Sequence, residues 1–111
     1  SAYSGHSATL NLLSGKLEVS SGWLLFQPNT QKNITVDKGV LIFKGDRKGN
    51  LKKLLQDSGT KLSLTGGMSL EQEAVNSEGY RGIVEITQGN FTLKYGYNPK
   101  SDMTALWTVQ N

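Results

Sequence analysis

There is no cysteine in this sequence, which excludes disulfides, thiolate nucleophiles and cysteine-based zinc or iron–sulfur sites and leaves the compartment open. Histidine occurs once, at His6. A Ser-His-Asp triad or a histidine-ligated zinc would both have to draw on that single ring near the start of the chain. Arginine occurs twice against ten lysines, which disfavours the bidentate recognition of phosphate or guanine that arginine's planar fork provides. Apolar runs stop at four residues, Trp23-Leu24-Leu25-Phe26 and Val40-Leu41-Ile42-Phe43, far short of the ~20 needed to span a bilayer as a helix. Charged residues make up 19% and hydrophobic residues 36%, both low. Serine, threonine, asparagine, glutamine and 13 glycines fill the difference, a mixture that suits short strands and polar turns better than helices.

What is present suffices for one core: a chain of 111 residues buries on the order of two-thirds of the surface that its unfolded form exposes. Residues 1–7 carry no periodicity and read as a flexible lead or an artificial remnant, so that 8–111 form a single β-rich domain. That irregular start points to a domain taken from a longer chain. From Ala8 onward, short strand patterns alternate with Gly, Asn and Pro. Strands are expected at 8–13, 16–20, 23–26, 40–43, 61–65, 83–87, 91–97 and 105–110, with residues 30–36 as a further short strand at a sheet edge. Pro28 ends the 23–26 run, and Gln88-Gly89-Asn90 closes a hairpin. Leu51, Leu54 and Leu55 have helical spacing, and Ser69-Leu70-Glu71-Gln72 matches a capping box with Glu71 and Glu73 in the first turn, where the helix dipole favours them. No internal repeat is evident. The expected fold is therefore all-β in the sense of β-dominated, about eight short strands with one or two short helical turns, as a sandwich or a partly open barrel.

The net charge of +3 is concentrated in one segment: residues 44–53 carry Lys44, Arg47, Lys48, Lys52 and Lys53 against Asp46 alone. Such a loop keeps a strand end soluble, or it contributes to a nucleic-acid site. Along the C-terminal hairpin, Phe91, Leu93, Tyr95 and Tyr97 fall on one face and Thr92 and Lys94 on the other. The stripe is expected to face the core, with Tyr97 beside the Asn98-Pro99 turn reaching solvent, and Trp23 and Trp107 are expected in the core as well. Tyr80 and Arg81, flanked by Gly79 and Gly82, make a second candidate contact patch.

Reactive chemistry has little support. The acidic residues form no recognisable catalytic pair. Gly45-Asp46-Arg47-Lys48-Gly49 lacks the Gly-Lys-Ser/Thr ending of a phosphate-binding loop, and the aspartates are not spaced as a calcium loop. No catalytic residue, metal site or cofactor is assigned. The eight residues from Gly79 to Ile86 resemble the Tyr-Arg-Gly strand start of SpoIID-type peptidoglycan-remodelling proteins; the acidic catalytic segment of that family has no counterpart downstream, and none of its sites is carried over. The expected role is non-catalytic: a protein-interaction or self-assembly module, extracytoplasmic, at a cell surface or in a virion. The alternatives are an OB-like domain binding single-stranded nucleic acid through residues 44–53, and a glycan- or cell-wall-binding module. Lys44, Arg47, Lys48, Lys52, Lys53, Tyr80, Arg81 and Tyr97 are the candidate binding residues.

Overall fold

The turn signals divide the chain into β1 (Ser7–Leu12), β2 (Lys16–Val19), a 3-10 turn (Ser21–Leu24), β3 (Gln31–Val36), β4 (Val40–Lys44), α1 (Lys48–Gln56), β5 (Thr60–Leu64), α2 (Leu70–Asn76), β6 (Arg81–Gln88), β7 (Phe91–Asn98) and β8 (Met103–Gln110). The computed structural model describes residues 7–111, apart from the side chain of Ser21. His6 and most of the expected lead lie outside the described residues, and Ser7 already belongs to β1. The chain is β-dominated but not strictly all-β, because α1 and α2 are true helices. Its strands form two separate sheets, ordered β1-β3-β5 and β2-β4-β8-β7-β6, and no closed barrel.

The three-stranded sheet is wholly parallel, as is the β2–β4 pair, whereas β4, β8, β7 and β6 run antiparallel. This parallel stacking exposes a repeat that the sequence hides. Leu10, Ile34 and Leu62 are register partners, as are Leu12, Val36 and Leu64. Three residues beyond the second of each set stand Gly15, Gly39 and Gly67. The first two units are thus rungs, each a strand in the first sheet, a glycine corner and a strand in the second sheet, whereas the third leads only to a bridge from Met68 to Val109 of β8. The corners stack by main-chain hydrogen bonds, Asp37 N to Leu12 O at 2.9 Å, Val40 N to Gly15 O at 2.9 Å and Thr65 N to Val36 O at 3.0 Å. A Cβ at Gly39 would lie 2.6 Å from Leu12 Cγ, so only glycine lets the second corner settle onto the first.

Two sequence expectations are corrected here. Residues 30–36 are not an edge: β3 is the centre of its sheet, with β1 and β5 on either side. The strand looks polar because Lys32 shares the inward face with Ile34 and Val36; Lys32 is only 4% exposed and forms an ion pair with Asp57 at 2.9 Å. Residues 23–26 are not a strand either. A 3-10 turn places Leu24 in the core and leaves Leu25 67% exposed, so this apolar run is covered on one side only.

The main core lies between the sheets. Leu12, Ile34, Val36 and Leu64 from the first meet Leu41, Phe43, Leu93, Tyr95 and Leu106 from the second, and α1 closes the gap with Leu51 and Leu54. A smaller cluster on the outer face of the five-stranded sheet joins Val40, Met68, Ala105 and Trp107 beneath Tyr80. The alternation within β4 and β8 accounts for both: neighbouring residues on a strand point to opposite faces, and both faces are covered.

Candidate functional site

The structure forms two surfaces with functional potential. The first is an open groove of about 810 Å³ running between α2 and strands β2 and β4, within the size range of small-ligand and peptide sites. Val40, Ile42 and Met68 make an apolar floor, Val75 and Tyr80 belong to one wall, and Lys16 and Lys38 line the groove along with Glu71 and Gln72 of the helix. The helix is placed by its capping box: the Ser69 hydroxyl accepts from Gln72 N at 3.2 Å, and the Gln72 side chain accepts from Ser69 N at 3.3 Å. Val75 is 76% exposed, so α2 turns an apolar side chain outward beside an apolar floor. Asn76 Nδ2 is buried in the groove lining without a hydrogen-bond partner. A buried donor of this kind has lost its water without gaining an acceptor.

Beneath the groove, Glu73 accepts hydrogen bonds from Trp107 Nε1 at 3.0 Å and Lys94 Nζ at 2.9 Å. Burial pushes the Glu73 pKa up, but the hydrogen bonds from Lys94 and Trp107 outweigh it and hold the carboxyl below its ordinary value. A carboxylate held this way stabilises the fold above its unfolded pKa, and the contribution is lost as pH falls through the depressed folded value. Asp57 behaves likewise. The hydrogen bond from Lys32 lowers its pKa against the opposing effect of burial, with help from the Asn29 and Gly59 amides. Stability is therefore expected to fall as pH drops below about 5 and onward through the depressed folded values. Glu73→Gln should make that loss shallower without abolishing it, because Asp57 remains. Urea midpoints across the pH series check this; an unchanged slope in Glu73→Gln would contradict it.

The second surface is basic, and it brings together most of the candidate residues. Asp46 accepts from Lys48 N at 3.2 Å at the start of α1, and Arg47 N donates to Thr104 Oγ1 at 2.8 Å. The Lys48 ammonium lies over Gly82, where β6 bulges between Arg81 and Val84. Arg81 is the register partner of Tyr97, whose hydroxyl donates to Asp102 at 2.7 Å; Lys44 reaches the other oxygen of Asp102 at 3.7 Å. That hydrogen bond to Asp102, with burial second, raises the Tyr97 pKa. Lys44, Arg47, Lys48, Arg81 and Tyr97 thus converge at one end of the sheet, and Lys52 and Lys53 extend the positive surface along α1. Tyr80 does not join them. Its ring rests on Trp107 at 5.5 Å and lines the groove instead.

The aromatic stripe is spoken for by the core: Tyr95 is 2% exposed, and Phe91 packs against the main cluster. Trp107 is fully buried and offers no face to a sugar ring. Among the described residues, no group of three or more His, Cys, Asp or Glu is placed to hold a metal ion, and no helix is long and apolar enough to cross a membrane. The groove was missed in the sequence because its lining comes from five separated segments. The one available signal was the pair of apolar residues Leu70 and Val75 in a short, otherwise polar helix. No protein-family model, curated protein or solved structure matches this chain.

Proposed function

We propose that this chain is a non-catalytic β-domain that acts as a protein-interaction or assembly module through the groove between α2 and the five-stranded sheet. The observation that carries the reading is the exposed apolar side chain of Val75 beside the apolar floor of an open groove. A peptide supplies apolar side chains to cover Val40, Ile42, Met68 and Val75. Lysines and Glu71 along the groove favour a segment of mixed charge. The two best-held carboxylates, Glu73 and Asp57, support a non-catalytic role: both are pinned by cations with lowered pKa values, the opposite of the raised value that a general acid needs near neutral pH.

A random peptide library selected against the chain tests this. Selected peptides are expected to lose about tenfold or more in affinity on Val75→Glu or Lys38→Glu. Peptides indifferent to both substitutions would overturn the reading. A second reading, binding of single-stranded nucleic acid, draws on the convergence of Lys48 and Arg81 beside Tyr97. It requires affinity that falls steeply with salt and disappears when Lys48, Lys52 and Lys53 are neutralised together. With the aromatic stripe buried, it lacks the stacking platform that such sites use.

A further inference from the structure

The stacked rungs have two ends, and among the described residues only one of them is covered. At the β5 end, the side-chain amide of Gln88 takes the place of a neighbouring strand: Nε2 donates to Leu62 O at 2.9 Å and Oε1 accepts from Leu64 N at 2.7 Å. The far edge of the larger sheet, β6, is broken by its bulge at Gly82 and carries Arg81 and Glu85. These are the usual devices that keep an edge from recruiting another strand. The first rung has none of them along β1. This strand is a regular six-residue edge, Ser7–Leu12, without charge, proline, glycine or bulge, and among the described residues no side chain hydrogen-bonds to the backbone of β1 or β2.

Exposure at equivalent repeat positions shows what is missing. Leu41 in the second rung is 2% exposed, whereas its register partner Leu17 in the first is 41% exposed. This side chain sits where the repeat would bury it if one more rung lay above. Stacked repeats need a polar cap at each end or another repeat to cover it.

From this geometry we infer that the β1–β2 end is a docking site for a strand–corner–strand segment of a partner polypeptide, added parallel to β1. The partner segment carries this chain's own rung chemistry: apolar residues at alternate positions, a corner, and a further alternating apolar pair. The close contact falls on this chain's Gly15, which has nothing within 4 Å of its would-be Cβ and would meet the partner's second apolar residue as Gly39 meets Leu12. A second copy of this chain is a poor occupant. Its own second rung and third unit are already paired on both sides or plugged by Gln88, so it has no free rung to donate in parallel. The inference deepens the interaction-module reading by naming a partner segment at a surface separate from the groove.

A fluorescent peptide with the sequence of residues 32–43 is the probe. Saturable binding is expected, with slowed hydrogen exchange at β1 and β2 and none at β5. Leu17→Asp should weaken it at least about tenfold, as should Val36→Asp within the peptide. The peptide substitution keeps the test decisive even if Leu17→Asp perturbs folding. Val75→Glu should leave binding of this peptide unchanged, so the groove and the rung end stand or fall separately. Absence of saturable binding, protection that maps elsewhere, indifference to the peptide substitution, or a self-associated dimer that protects β1 without peptide would each overturn the inference.

Discussion

Trp107→Ala is expected to destabilise the chain by about 3–5 kcal/mol, the range for removing a large buried aromatic. Trp107 is fully buried, packs in the outer cluster with Val40, Met68 and Ala105, carries Tyr80 on its ring at 5.5 Å, and donates to Glu73 at 3.0 Å. Its removal empties the small cluster and releases the carboxylate that holds α2 to the sheet. The loss is large against a total stability of roughly 5–15 kcal/mol for a domain of this kind. With a urea m-value of about 1–3 kcal/mol/M, the midpoint should drop by about 1 M or more. Trp107→Phe keeps much of the apolar volume but removes the N–H, and should cost less. If the alanine variant shifted the midpoint by no more than the phenylalanine variant, packing beneath α2 would not be what anchors the helix.

Gly67→Ala is the second large effect, and it acts through the backbone. A Cβ at Gly67 would lie 2.6 Å from the Val109 carbonyl carbon and 2.8 Å from Gln110 N, distances that no side-chain rotation relieves. The third corner would have to move away from β8. That would break the hydrogen bonds from Met68 N to Thr108 O at 2.8 Å and from Gln110 N to Met68 O at 3.0 Å, and draw Met68 out of the outer cluster. Overpacking costs about 1–3 kcal/mol, and each lost buried main-chain bond adds about 1 kcal/mol, so about 3 kcal/mol or more is expected. Thermal unfolding checks this against Gly49→Ala. Gly49 lies in α1 with nothing within 4 Å of its would-be Cβ, and alanine there should be neutral or stabilising. If both alanine variants melted like the parent, the tight approach at the third corner would be without energetic consequence.

Much of the secondary structure was legible because it is specified locally. The capping box at Ser69 and Gln72 formed as read, the Leu51 and Leu54 spacing became the inward face of α1, and Gln88-Gly89-Asn90 closed the β6–β7 hairpin. The aromatic stripe pointed to the core as expected. The failures share one cause. Lys32 made β3 look like a solvent-washed edge, and only a distant carboxylate, Asp57, makes its burial tolerable. The repeat escaped notice because its rungs have unequal spacing and share only alternating apolar residues and a glycine, a pattern common to many unrelated strands. The candidate site divides in the same way. The basic segment was plain in the sequence, but its meeting with Arg81 and Tyr97 depends on the β6–β7 register, and the groove depends on where α2 comes to rest.

By itself, then, the order of residues settled the strand-rich character, the turn positions, the two short helices and the shortage of reactive groups, because each of these follows from neighbours within a few positions. Tertiary structure alone decided that strands would stack in parallel, that Gly39 would pack on Leu12 and Gly67 on β8, that Glu73 would hold Trp107 and Lys94, and that one end of the stack would be plugged by Gln88. Those outcomes rest on contacts between segments distant in sequence, 24 residues apart for Leu64 and Gln88 and 34 for Glu73 and Trp107, where close packing and main-chain pairing select among arrangements that local preference leaves nearly equal.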